Sequence, residues 1–288
     1  ICACLVGSEM CIRDSSKVLN NNGVIAIDMD ENKEYVILGK GVGFGKKVSQ
    51  RFDKPEGCTT YRLEQETERG SAKELVKGIE PEYLEIADAI LTESQKVFGD
   101  SIDRGILFPL ADHISFAVAR IRRNEQISNP LTEDIKVLFY SEFKVAETLK
   151  TILRERLQIE IDDHEVGYVA LHIHSAIGDE KVSVAMQTAR AVRECIDMIE
   201  KATGKPIDVL SLSYNRLMNH MKYMVARAST GEKLNLDMNE YMLDQYPQAY
   251  KVATDICKNL EGCIGHNLDE TETGYLAMHI QRVYKDAV

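Results

Sequence analysis

The sequence predicts a mainly α-helical chain: a small antiparallel β-sheet domain at the N-terminus, followed by two duplicated all-α helical-bundle domains. Three observations predict it. A twelve-residue pattern, D-x-x-E-x-G-Y-x-A-x-H-I, occurs at Asp162–Ile173 and again at Asp269–Ile280, an offset of 279 − 172 = 107 residues. A second pair of segments has the same offset. Leu110-Ala111-Asp112-His113 precedes Val118-Ala119-Arg120, Leu217-Met218-Asn219-His220 precedes Val225-Ala226-Arg227, and 220 − 113 is again 107. Finally, short apolar blocks bounded by turn residues fill residues 16–71, whereas the later apolar residues follow the helical period. A repeat of about 100 residues is one domain long and far too long for a solenoid.

Taken in order, residues 1–15 read as a non-native or disordered tail and are set aside. Their apolar part is short and has no basic residues before it, which makes a poor signal peptide. Residues 16–71 read as a β domain. The turn cluster Asn20-Asn21-Asn22-Gly23 leads into a strand at Val24–Ile27, and Asp30–Lys33 turns into a second strand at Glu34–Leu38, so the two form a hairpin. Thr59–Leu63 reads as a further strand. So small a sheet buries little apolar surface alone, and pairing with a second copy would cover it. The polar stretch Glu64–Lys77 separates this piece from the helices. The first helical domain, residues 72–180, is expected to hold helices over 81–98, 106–122, 129–157 (broken) and 163–177. The second, 181–288, is expected to hold them over 182–203, 212–228, 244–260 and 271–284. Asp162 with Glu165, and Asp269 with Glu272, have the form of a capping box at a helix start. Tyr168 and His172, like Tyr275 and His279, are four apart and share a helical face.

Charge narrows the partners. The net charge is −11, of which residues 16–71 contribute nothing (nine basic against nine acidic) and residues 72–288 about −10. The acidic body argues against broad nucleic-acid binding by the repeats. Gly39–Lys54 is the exception, with five basic side chains against Asp53 alone. Seven cysteines in no metal-binding spacing fit free thiols in a reducing cytoplasm. No run is long and apolar enough to span a bilayer, so no membrane insertion is expected.

Two groups of residues carry chemistry. His113, His172, His220 and His279 recur in a frame that has otherwise drifted, Leu171 becoming Met278 and Asp112 becoming Asn219. A lone histidine on an apolar helix is ordinarily a hydrogen-bonded core residue, but four at matched positions point to function. Metal binding is disfavoured because Gln281 stands where the first copy has His174. Enzymatic catalysis is disfavoured because the chain has no G-x-S-x-G, P-loop or dinucleotide fingerprint. A third option is an imidazole nitrogen that accepts phosphate, which adds about −1.5 to −2 charges at neutral pH. Arg120 and Arg227 each lie seven residues past a histidine, on its face. They would either recruit the phosphate or simply pair with Glu165 and Glu272. The second group is Gly39-Lys40-Gly41-Val42-Gly43-Phe44-Gly45-Lys46-Lys47 with Asn20-Asn21-Asn22. Aromatic stacking, amide hydrogen bonds to base edges and cations on phosphates are the means by which looped RNA is read. The glycines would let backbone lie against it.

These residues resemble the BglG/LicT-type transcriptional antiterminators. Lys17–Asn22 with Gly39–Lys47 is similar to their co-antiterminator RNA-binding domain, and the doubled helical module to their paired phosphotransferase-system regulation domains. The resemblance implies an RNA-binding homodimer that grips an imperfect leader-RNA hairpin of a sugar-utilisation operon and blocks an overlapping terminator. It implies RNA contacts from Lys17, Asn22, Gly39, Lys40 and Phe44, with Lys40 standing where the family often has Arg. It also implies phosphorylation of His113, His172, His220 and His279 by HPr or a sugar permease's EIIB component, inhibiting through the first module and activating through the second. No enzyme activity, cofactor or metal is implied. Two other readings are a phosphohistidine phosphocarrier or phosphotransferase enzyme, with the N-terminal sheet structural, and a DNA-binding activator carrying the same modules. The latter would require a helix-turn-helix where residues 16–71 have β pattern.

Overall fold

The computed structural model describes residues 14–28, 33–48, 50, 57–63, 66–67, 70–178, 181–208 and 211–286. It forms two compact units: residues up to 127 with 145–179, and residues 128–144 with 180–288.

The first unit opens with an antiparallel meander of four strands in sequence order, β1 (Asp14–Asn20), β2 (Gly23–Asp28), β3 (Lys33–Leu38) and β4 (Thr59–Arg62). The expected hairpin is present as β2–β3, with Val24 opposite Ile37 and Ala26 opposite Tyr35. β1 has too few apolar residues to announce itself, and becomes a strand by pairing along β2 through two register shifts. Because β1 begins at Asp14, the last two residues of the span set aside as a tail belong to the sheet. The other thirteen, and Asp30–Asn32 of the expected turn, lie outside the described residues.

Alternation along the strands gives the sheet two faces. Val24, Ala26 and Ile37 pack on one face with Val42 of the loop that follows β3. On the other, Val36 and its register partner Tyr61 are buried, and the Tyr61 ring meets Phe108 edge-on at 6.3 Å between centroids. A helix of the same unit thus packs against this face, and burying it does not require a second sheet.

The stretch expected to be only a separator carries structure. A short hairpin, β5 (Glu66–Thr67) with β6 (Gly70–Ser71), runs into α1 (Ala72–Gly78), whose Ala72 and Val76 are buried against α3 (Leu107–Arg122). Two apolar residues four apart are too few to register as a periodic signal. Between these helices lies α2 (Pro81–Phe98), which begins at a proline whose fixed φ suits the first helical position. The broken helix expected over 129–157 is α4 (Thr132–Leu138), α5 (Tyr140–Ala146) and α6 (Thr148–Leu157), and α7 (Asp163–Gly178) follows.

The second unit contains α8 (Val182–Thr203), α9 (Leu212–Thr230), α10 (Asn239–Gln245), α11 (Pro247–Ile264) and α12 (Glu272–Asp286). α4 belongs here as well, packed on α8 and α9. The offset of 107 carries α4 onto α10 end to end, and 140–157 onto α11, which is unbroken where the first copy is split into α5 and α6. The helix expected over 244–260 is α11, begun three residues later, while its first two residues close α10, a helix the sequence reading did not expect. Pro247 opens α11, and its ring disfavours helical backbone in the residue before it, Tyr246 (φ −140, ψ 59). The repeated motif's glycine also finds its reason in this unit. A Cβ on Gly274 would lie 2.8 Å from the Asn239 backbone nitrogen, so only glycine lets α12 pack this close to the start of α10.

Candidate functional site

Four of the five residues expected to touch RNA lie on two adjoining loops at one end of the sheet. The β1–β2 turn and the glycine loop are knitted by backbone bonds: Gly39 N donates to Asn22 O at 2.9 Å and Gly43 N to Asn21 O at 3.0 Å. Asn22 Oδ1 accepts from Gly41 N at 3.0 Å, and Asn20 Oδ1 accepts from Asn22 N at 2.8 Å. Phe44 stands out at the tip of the loop, 73% exposed, and Lys40 is exposed beside it. Lys17, also exposed, lies on β1 three residues before Asn20.

The glycines have reasons of their own, and they differ from the expected one. A Cβ on Gly43 would lie 2.0 Å from the Asn20 carbonyl oxygen, and one on Gly39 would lie 2.3 Å from Cys58 Sγ. Both are glycine because the protein's own chain passes close by. Gly41 has open space around it and a φ of +75°, so there the backbone conformation itself favours glycine.

Helix α2 reaches this end of the sheet. Asn20 Nδ2 donates to Glu85 Oε1 at 2.8 Å and Asn22 Nδ2 to Glu85 Oε2 at 3.1 Å. One turn along α2, Asp88 accepts from the Tyr61 hydroxyl and from Arg104 Nη2 at 2.8 Å, while Arg104 also reaches Tyr61 Oη at 2.8 Å. Burial first, then the Asp88 carboxylate, pushes the Tyr61 hydroxyl far above its ordinary value, so it stays protonated and donates. Glu85 is one acid among many on an amphipathic helix, and its partners are 63 and 65 residues away. No local pattern marks it.

The histidines gather in pairs, one pair in each unit. In the first, α3 presents His113 and α7 presents His172, with ring centroids 5.3 Å apart, and Tyr168 lies 5.7 Å from His113. The expected shared face of Tyr168 and His172 is thus the one turned to His113. Asp162 caps α7, its Oδ1 accepting from His164 N at 3.1 Å and Glu165 N at 3.2 Å. Glu165 does not complete a capping box. It turns inward, 3% exposed, accepts from Arg120 Nη2 at 2.8 Å and lies 3.4 Å from His113 Nε2. Burial alone would raise the Glu165 carboxyl, but hydrogen bonding and charge from His113 and Arg120 outweigh it and hold the pKa below the usual range.

The second unit repeats the arrangement more tightly. His220 on α9 stacks on His279 of α12 at 4.8 Å, with Tyr275 at 6.2 Å. Arg227 grips Glu272 with two bonds, Nε to Oε1 at 2.6 Å and Nη2 to Oε2 at 2.9 Å, and His220 Nε2 lies 3.6 Å from Oε2. Both arginines are therefore paired with the motif's glutamates, which was one of the two roles open to them. Burial, then the neighbouring His279 and Arg227, drives His220 down to about 3. Burial and the arginines Arg282 and Arg216 bring His279 to about 4. At neutral pH both rings are uncharged, so each keeps a nitrogen lone pair for nucleophilic attack.

The chain resembles known proteins along most of its length. Residues 16–70 match the CAT RNA binding domain, and residues 88–176 and 193–283 each match the PRD domain. The GlcA/glcB genes antiterminator of Staphylococcus carnosus is 30% identical over 270 residues, covering 92% of this chain and 93% of that protein. Transcription antiterminator LicT of Bacillus subtilis is 27% identical over 276 residues, covering 94% and 99%. The crystal structure of GlcT CAT-PRDI superposes with a TM-score of 0.50 at 28% identity, covering 58% of this chain and 98% of that one. With both domain types matched in order and a relative 30% identical along most of its length, the chain belongs to the BglG/LicT-type family of transcriptional antiterminators, with a CAT RNA-binding domain followed by two PRD domains.

Proposed function

We propose that this protein is a cytoplasmic, non-enzymatic antiterminator of a sugar-utilisation operon. As a homodimer it binds an imperfect leader-RNA hairpin through Lys17, Asn22, Gly39, Lys40 and Phe44, and phosphorylation of His113, His172, His220 and His279 controls it. HPr and a sugar permease's EIIB component donate the phosphoryl groups. The domains are residues 16–71 for RNA, 72–180 and 181–288 for regulation. The observation that carries the regulatory half is the duplicated cluster, two imidazoles against one arginine–glutamate pair in each unit.

The chemistry follows from the charge in that cluster. A neutral imidazole nitrogen takes the phosphoryl group from the donor, forming one P–N bond as the donor's bond to phosphorus breaks. The histidine that was uncharged then bears about −1.5 to −2 charges. In the second unit that charge arises beside Glu272, which is 1% exposed and already holds Arg227. The phosphate either draws Arg227 away or is repelled by the carboxylate, and both outcomes loosen α9 from α12. The side chains of His113 and His220 are only 11% and 8% exposed, so the clusters must open for a donor to reach them. A difference of a few kcal/mol between open and closed forms shifts such a balance by orders of magnitude.

Incubation of the full chain with HPr, enzyme I and phosphoenolpyruvate, followed by peptide mass mapping, tests this reading. Phosphate is expected on peptides containing the four histidines, with a change in retention of a hairpin RNA on a filter. Phosphate elsewhere, or unchanged RNA retention after phosphorylation, would refute it.

A further inference from the structure

We infer that Glu85 of α2 is an internal competitor for RNA, closing the Asn20–Asn22 turn until α2 withdraws. This deepens the RNA-binding reading and rests on it. In both asparagines the carbonyl oxygen is spent inside the loop: that of Asn20 accepts from Asn22 N, and that of Asn22 from Gly41 N. What each offers to an outside ligand is its amino group, a donor suited to a phosphate oxygen or a base carbonyl. Glu85 fills that role from within the chain. Each of its oxygens takes one amide, at 2.8 and 3.1 Å, much as two oxygens of one phosphate would. Carboxylate and RNA are anionic acceptors for the same donors, so they exclude one another.

Glu85 is held where it stands. Arg156 Nη1 of α6 lies 3.7 Å from Oε2, and the Glu85 side chain is only 20% exposed. Three residues along α2, on the same face, Asp88 binds Tyr61 of β4 and Arg104, which fixes the helix to the sheet at a second point. Entry of an RNA strand onto the amides of Asn20 and Asn22 breaks both Glu85 bonds and displaces a negative charge that would otherwise face the phosphates. Closed and open forms of one chain therefore compete, and anything that lifts α2 favours RNA.

The test uses the full chain and a labelled pool of RNA hairpins with randomised internal-loop nucleotides, read by filter retention. Removing two hydrogen bonds to a charged group sets an expected gain of roughly tenfold or more in affinity for Glu85→Ala. Glu85→Gln, nearly isosteric, falls between that and wild type. Arg156→Gln, which loosens Glu85 without touching the loop, moves the same way by a smaller factor. Glu93→Gln, on the same helix and 42% exposed, removes the same charge and leaves retention unchanged. Equal gains from Glu93→Gln and Glu85→Gln would assign the effect to net charge and overturn the proposal. So would an unaltered or weakened Glu85→Ala in an experiment where Asn22→Ala abolishes retention. If instead Asn22→Ala binds as wild type, or no variant retains any of the pool, RNA recognition at this turn fails first.

Discussion

His220 makes the stability of the second unit depend on pH, with a sign fixed by its surroundings. The ring is buried against His279 and near Arg227, and it titrates at about 3 rather than 6.5. Glu272 is 3.6 Å from Nε2, yet both of its oxygens are bound to Arg227, so little of its charge is left to support a protonated ring. Between pH 3 and 6.5 the unfolded chain binds the proton and the folded chain does not. Stability is therefore full above pH 6.5 and is lost as pH falls. At pH 5, 1.5 units below the unfolded value, the loss is about 2 kcal/mol. His220→Phe, a ring with no titration, cancels this share. Urea unfolding at pH 7.5 and 5.0, read by pulsed hydrogen exchange on peptides of α9 and α12, measures the difference. Wild type is expected to lose about 2 kcal/mol more than His220→Phe over that interval. Asp134 is pushed up to about 6, chiefly by burial, and gains stability as pH falls, so a wild-type profile alone mixes two signs. Equal losses in wild type and His220→Phe would show that the His220 ring is not held uncharged in the folded unit.

Four further variants probe the same contacts. Glu272→Ala leaves Arg227, 15% exposed, without its bidentate partner and is expected to cost the second unit about 3–5 kcal/mol in urea unfolding. Glu165→Ala costs the first unit less, because Arg120 is 24% exposed and makes one bond, so equal costs would contradict the account. Gly43→Ala drives a Cβ to 2.0 Å from Asn20 O and is expected to break the loop, lowering RNA retention at least about tenfold even with fresh protein at low temperature. Tyr61→Phe removes the hydroxyl shared by Asp88 and Arg104, at an expected cost of about 1–3 kcal/mol to the first unit by the same unfolding assay.

Much of this molecule could be read along the chain. The doubled motif located α7 and α12, the histidines, and the glutamates and arginines beside them. The offset of 107 even carries α4 onto α10. Hydrophobic period found α2 and α8 to the residue, because each buries a long apolar stripe on one face. Where signals were short or long-range, the reading ran out. β1 is a strand only because β2 lies beside it, and α1 buries just two apolar residues. The D-x-x-E motif looked like a capping box, but its acid turned inward. A buried carboxylate needs a cation beside it, and no rule of local sequence weighs that demand against a helix cap.

Periodicity and repetition are properties of neighbours along the chain, so the fold class, the duplication and the matched positions of the four imidazoles follow from residue order alone. Which groups meet across 45 to 65 residues is a property of packing. Packing alone brings Arg227 to Glu272, buries His220 so that it loses its proton, and seats Glu85 on the asparagines of the β1–β2 turn. A charge carries no mark of its partner until folding removes the water between them.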